Sequence, residues 1–556
     1  MKKGFSYLAI LYFLTFYNIL NAQYIIERAL LDGNKISTYF QNTGIFNQNT
    51  TSGNAPGFEW PKGSNKYAVF STGLTIAGFY NNQYRMASAS YYGEYYVGYC
   101  NSGVPHTNSN FHIYKVSRGD NQNTNPDWAN WGFMVPYGAP FVDVNSNGTY
   151  EPAIDTPGVK NAMQTIFMCL TDGFDSSHNP IEGFGGGTSP IYSEMHMTAW
   201  CYDKISFQDV QFVKFVVINK ANYAWDSTIF SIVCDPDLGY GNDDYIGCDT
   251  TRKLGYCYNS SNGDPQYGVA PPSVGMILLK GAINKYVIPN KNIGLSAFDC
   301  FSNPATSPPP CEMDPNPDPY GAYYYMSGYK LDSTCWLDPT QLIQQPNFYK
   351  KTKFVFPGDL ETSTGWSEYS GAIQNCGLDS SGTPIVPNPP GDRRFILNSG
   401  KTKLNPGDTQ TIIIAQLIAK GTNNLNSVTK LKALADSVIA LYNSGFTIEI
   451  KNISSIIPGK YNLYQNYPNP FNPSSKIRFD IANNPLLRGA GEARGVWTQL
   501  KIYDITGREI SNLVNEQLSP GTYEVTFDGS NLPSGIYFFK LITGDFVRAK
   551  KMVLIK

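Results

Sequence analysis

Apolar residues recur along this 556-residue chain mainly in short runs of period two, the spacing of strands whose side chains alternate between two faces. Between residues 23 and 445 such runs read KYAVFSTGLTIAGFY, TIFMCLTD, EMHMTAWCYD, VQFVKFVVINK, STIFSIVC and TQTIIIAQLIAKG. In VQFVKFVVIN, Val213, Phe215 and Val217 point one way and Phe212, Val216 and Ile218 the other. That pattern places the strand centrally, with two dry faces. One segment keeps helical spacing: Val428, Leu431, Leu434, Ala435, Val438 and Leu441 form a stripe, with Asn426 as cap and Gly445 as stop. Beyond it, five or more short strands are separated by the turn signals Thr506-Gly507, Pro520-Gly521, Pro533-Ser534-Gly535 and Thr543-Gly544-Asp545. Ile536, Phe538 and Lys540 alternate there with Tyr537, Phe539 and Leu541. The expectation is a mainly β protein: a large sandwich-type β-rich region over 23–445, in one or two subdomains, ending in one helix. A linker over 446–460 and a small sandwich over 461–556 complete it.

Composition narrows this. Aromatics make up 14% and charged residues 15%, against a usual charged share of about 25%. With 51 glycines and 37 prolines, the chain has no resemblance to a coiled coil or a helical repeat array. Met1-Lys2-Lys3, the apolar stretch Tyr7 to Tyr17 and Leu20-Asn21-Ala22 give the layout of a signal peptide over 1–22, cut by signal peptidase after Ala22. Its apolar core is shorter than the ~20 residues a membrane span needs, and no later segment reaches that length. Ten cysteines in an exported chain permit disulfides. Cys300 and Cys311, flanking FSNPATSPPP, are the expected pair, while Cys169, Cys201 and Cys234 lie in strand-like runs as small hydrophobes.

The segment Tyr467-Pro468-Asn469-Pro470-Phe471-Asn472-Pro473, the turn Ile505-Thr506-Gly507-Arg508, the hairpin Leu532-Pro-Ser-Gly535-Ile-Tyr537 and a basic last strand through Lys550, Lys551 and Lys556 carry a resemblance. They resemble the type A carboxyl-terminal sorting domain of bacterial type IX secretion, with NNPLLRGAGEARGVW as a lengthened loop. The resemblance implies an immunoglobulin-like sandwich recognised by an outer-membrane translocon, so that the chain passes through the periplasm to the cell surface or the medium. Residues 461–556 carry a net charge of +3 and the leader +2, which leaves −7 on residues 23–460 and argues against nucleic acid as a partner. The cargo phrases GFEWPKGSNKYAVFSTGL, YGAPFVDVNSNGTYEPAIDTPG and CDPDLGYGNDDYIGCDTTRKLGY resemble stretches of large uncharacterised exported proteins with the same tail. That resemblance supplies no activity.

Two acidic segments are candidates for structural Ca²⁺. Asp143, Asn145, Asn147, Thr149, Glu151 and Asp155 place oxygens at alternate positions around Gly148, which lets a loop turn sharply enough to converge on one cation. The spacing departs from an EF-hand, and Asn147-Gly148 equally suits a hairpin turn with Asx hydrogen bonds. Asp235, Asp237, Asp243, Asp244 and Asp249 form the second candidate, with a solvated loop as its alternative. Asp314-Pro-Asn316-Pro-Asp318 reads as a turn. No HExxH, GxSxG or Walker loop occurs, and GFGGGTSP at 183–190 lacks the lysine and helix that phosphate binding needs. Glu194 and His196 share one side of their strand. Tyr91, Tyr92, Tyr95, Tyr96 and Tyr99, and Tyr320, Tyr323, Tyr324 and Tyr325, offer either sugar-stacking faces or core packing. The expected cargo is a calcium-stabilised module that binds an extracellular glycan or protein or serves a structural role; the alternative is a secreted hydrolase of polysaccharide or protein.

Overall fold

The computed structural model describes residues 25–556 except 52–53, 288–289, 345–347, 384, 447–450, 455–457, 483–495, 519 and 530–531. The expected signal peptide, and most of the NNPLLRGAGEARGVW insert, lie outside the described residues.

The cargo strands that place the site come in chain order. They are β1 (Ser71–Tyr80), β2 (Gln83–Ala87), β3 (Tyr114–Ser117), β4 (Gln164–Thr171), β5 (Ser193–Cys201), β6 (Val210–Asn219) and β7 (Trp225–Asp235). Then follow β8 (Asp244–Asp249), β9 (Leu254–Asn259), β10 (Ser273–Lys280), β11 (Ala297–Ser302), β12 (Arg393–Leu404) and β13 (Thr409–Ala419). One sheet runs β11-β12-β7-β1-β2, the other β3-β4-β5-β6-β13-β10-β9-β8, every named pair antiparallel. Leu74, Ile76, Phe230 and Ile232 of the first face Met195, Met197, Phe215, Val217 and Ile414 of the second in one contiguous buried cluster. Two sheets closed over such a core make a sandwich.

Each sheet has a helix on its outer face. α1 (Pro319–Met326) lays Ala322, Tyr323, Tyr325 and Met326 against Ala77, Ile229, Val233 and Ile396. This helix is absent from the strand-based reading, although Asp318 accepts a hydrogen bond from Tyr320 N as cap and Pro319 follows it at the first helical position. α2 (Asn424–Asn443) is the helix of the apolar stripe, burying Val428, Leu431, Ala435, Val438 and Leu441 on Phe212, Tyr256, Ala415 and Leu417. Each fully buried Val or Leu contributes roughly 1.5–3 kcal/mol. Its cap is Asn423, whose side chain accepts from Asn426 N, three positions before the end of the first turn where the cap was expected.

β6 corrects the expectation of two dry faces. Val213, Phe215 and Val217 are fully buried between the sheets, but on the outer side α2 covers only the Phe212 end. Lys214, Val216 and Ile218 remain half-buried.

The tail holds β14 (Ser474–Ile481), β15 (Val496–Tyr503), β16 (Glu509–Leu518), β17 (Gly521–Asp528), β18 (Gly535–Thr543) and β19 (Phe546–Leu554). The sheet β16-β15-β18-β19 packs on β17 and β14 through Ile477, Phe479, Leu500, Ile502, Phe539 and Leu541. Lys451–Ser454, read from sequence as linker, pairs with β17 and so belongs to the tail sheet. Among the described residues no helix is long and apolar enough to cross a membrane.

Candidate cation loop, buried charge clusters and the sorting tail

The loop from Asp143 to Asp155 folds around its own carboxylates. Asp143 accepts from Asn147 N (3.2 Å) and Gly148 N (2.7 Å), and Asp155, 2% exposed, accepts from Val144 N (2.9 Å) and Glu151 N (2.8 Å). Asn147 Oδ1 accepts from Thr149 N (2.8 Å). The amide groups of Asn145 and Asn147 both donate to Glu151 Oε2, at 2.7 and 2.6 Å. Four of the six candidates therefore face one another, Thr149 contributes its backbone N–H, and Asp155 clasps the loop from its buried side.

The second acidic group comes apart. Asp235 and Asp237 meet Asp392, brought in from the start of β12, with oxygens of all three within 4.8 Å of one another. Arg394 lies 3.2 Å from Asp235 and 2.9 Å from Asp392, and Tyr91 donates to Asp235. Burial and the neighbouring Asp235 push the Asp237 carboxyl up to about 8. Asp243 accepts instead from Asn259, Asp244 from Leu238 N, and Asp249 pairs with Arg252 at 2.8 Å. Asp392 is missing from the sequence reading because nothing local marks it; more than 150 residues separate it from Asp235.

The glycine loop also has a partner, of another kind than phosphate. Gly183, Gly185, Gly186 and Gly187 all take positive φ, and the loop wraps two buried glutamates. Glu94 accepts from Gly187 N and Asn179 N, and Glu182 from Phe184 N, Tyr91 N, Gly93 N and the Ser90 backbone and hydroxyl. Burial and Glu94 push Glu182 up to about 7. His178 stands 3.5 Å from both Glu94 and Asp172. Burial opposes its charge, but the adjacent Asp172 and Glu94 carboxylates outweigh that and raise it to about 10. A His⁺ inside a ring of carboxylates is a structural ion cluster, built where the chain could not otherwise afford buried charge.

The disulfide joins Cys311 to Cys376, with the Cα atoms 5.5 Å apart, and Cys300 is a buried free thiol. The expected Cys300–Cys311 pair is thus corrected: Cys300 points into the sandwich core from β11, away from the loop it borders. Of the tyrosines, Tyr95, Tyr323 and Tyr325 are core, whereas Tyr92, Tyr320 and Tyr324 are exposed.

In the tail, Tyr467-Pro468-Asn469-Pro470-Phe471-Asn472-Pro473 stitches the two sheets together. Tyr467 exchanges backbone hydrogen bonds with Lys476 of β14, both 2.9 Å. Asn469 Oδ1 accepts from Val553 N, Phe471 N donates to Val553 O, and Ile555 N donates to Phe471 O. Pro473 O accepts from Gly529 N. The Phe471 ring is 2% exposed, packed on Phe527. An extended segment thereby covers the free edge of β19 near its end, an edge that would otherwise invite another chain. Gly507 takes φ +83° in the turn held by Asp504, Gly535 opens β18, and Lys550 and Lys551 lie on β19 with Lys551 exposed.

Residues 465–556 match the family model of the secretion system C-terminal sorting domain. No curated relative matches the chain. A polysaccharide lyase shows 6% identity and a TM-score of 0.18, covering 65% of this chain and 34% of its own. The adhesin domain of Epf from Streptococcus pyogenes shows 5% and 0.12, covering 66% and 93%. The chain spans about a third of the lyase's length, and likenesses this faint carry no argument. The tail is what the family match identifies: a type IX secretion sorting domain, which makes this an exported protein of the cell surface or the medium.

Proposed function

We propose that the cargo works outside the cell as a binding or structural module stiffened by calcium at the Asp143–Asp155 loop, after delivery by the outer-membrane translocon that reads residues 461–556. The observation that supports it is the convergence of two amides on Glu151 Oε2. A cation beside Glu151 Oε2 would displace these two N–H donors, and for Asn145 and Asn147 to turn Oδ1 toward it they would give up their bonds from Asn147 N and Thr149 N. Asp143 and Glu151 then supply the charge, Asn145 and Asn147 neutral oxygens, and Asp155 holds the loop's shape. The test is thermal melting of the protein with excess calcium and with chelator. At calcium a hundred times its dissociation constant the folded state gains about 2.7 kcal/mol. An unchanged midpoint, with no calcium bound, removes calcium from the reading. Glycan turnover abolished by a single carboxylate substitution would replace the binding module by a hydrolase.

A further inference from the structure

We propose that Cys169, Glu194 and His196 form a zinc site on the outer face of the larger sheet. Antiparallel register sets Cys169 of β4 directly opposite His196 of β5, and Glu194 shares the side of β5 on which His196 stands. One ligand atom from each of the three lies within 4.8 Å of the others. Zinc with bonds of about 2.0–2.3 Å at tetrahedral angles holds its ligand atoms roughly 3.3–3.8 Å apart, so small side-chain adjustments close the set. Soft thiolate, imidazole and carboxylate together are a zinc donor set, unlike the all-oxygen loop at Asp143.

Their surroundings distinguish these residues from ordinary core. Cys169 is 1%, Glu194 3% and His196 8% exposed. Of the described free cysteines, Cys169 alone has a histidine and a carboxylate at ligand distance. The His196 Nε2 lies 2.9 Å from Glu194 Oε1, and Cys100 N donates to Glu194 Oε2 at 3.2 Å, which orients the carboxylate from behind. Tyr137 and Phe167 confine the imidazole ring. Gly138, at φ +84°, leaves room beside Nδ1, where a Cβ would stand 3.2 Å away. Lys220, 3.3 Å from Glu194 Oε1, is the competing cation; its side chain is one-third exposed and can turn out to solvent. On binding, the Cys169 thiol gives its proton to water, and thiolate and carboxylate together balance the dipositive ion. Three protein ligands leave the fourth position to water.

The experiment loads the full chain, carrying Cys335→Ser to remove the half-exposed free thiol, with cobalt(II) and separately with zinc. One equivalent of cobalt giving a near-ultraviolet thiolate charge-transfer band, lost in both Cys169→Ser and His196→Gln, is the expected result. Zinc-edge X-ray absorption of the loaded parent needs neither variant: one sulfur and at least one imidazole in the shell support the site. An all-oxygen shell, no bound metal, or a thiolate band that survives Cys169→Ser overturns it. Because calcium at the Asp143 loop gives no thiolate band, the two sites fail independently.

Discussion

Cargo and tail are both antiparallel sandwiches, but they bury different things. The cargo closes over Glu94, Asp172, Glu182, Asp299, Glu368, Lys330, Arg393 and Arg394, none more than 7% exposed. In the tail Asp480 is the single buried charged side chain among the described residues, and it accepts from Tyr464 and Thr522. The tail core is built by alternation: β15 reads buried, exposed, buried from Val496 onward, and β18 continues the pattern. A cargo core wired by charges is expensive to desolvate and intolerant of single losses. A tail of plain alternation tolerates change on its outer face and depends on its closing segment.

The sharpest way to break this contrast is Arg393→Met. Its guanidinium lies 2.7 Å from Glu368, with side chains 6% and 1% exposed, so the substitution strands a buried carboxylate. We expect a loss of about 3–5 kcal/mol in urea unfolding of the cargo, with the tail transition unmoved. A neutral result would show that the cargo core is as forgiving as the tail's. Phe471→Ala is the matching cut in the tail, costing about 3 kcal/mol there and little in the cargo. Loss of surface delivery, followed by immunoblotting of intact cells, should accompany it.

A smaller and pH-dependent effect belongs to His178. Its folded value of about 10 lies above its ordinary 6.5, so the stability it lends is complete below pH 6.5 and lost as pH rises toward 10. Urea midpoints of the parent and His178→Gln should therefore differ most at pH 6.5 and converge by pH 10; a constant gap would mean that the ion cluster does not titrate. Smallest is Asn423→Ala, about 1 kcal/mol from the cap of α2 in the same assay. A larger loss would mean that Asn423 does more than cap.

The contrast also explains what sequence could tell. Alternation is local, so the tail strands, the β-rich cargo and the α2 stripe were readable from the chain. Pairings across long separations were not: Cys311 with Cys376, Arg393 with Glu368, Asp392 with Asp235, Cys169 with His196. Each depends on sheet register or on where loops return to the sheets, which no local pattern encodes. At the Asp143 loop all candidate residues fall within thirteen positions, and there Asp143, Asn145, Asn147 and Glu151 hydrogen-bond with one another. α1 went unread because Tyr320 to Tyr325 suggest a strand, while the deciding signal was the Asp318-Pro319 start.

The segment from Tyr467 to Pro473 is made more than 70 residues before the strand edge on which it closes, Val553 to Ile555. A chain cut short of residue 546 lacks β19 entirely, and its Phe471 keeps Phe527 but loses the backbone bonds to Val553 and Ile555. The closed form of the tail can therefore exist only on a finished molecule. A closing stitch in the fold makes the shape of the whole tail depend on its last residues, and a chain that ends early leaves the ribosome without that closure.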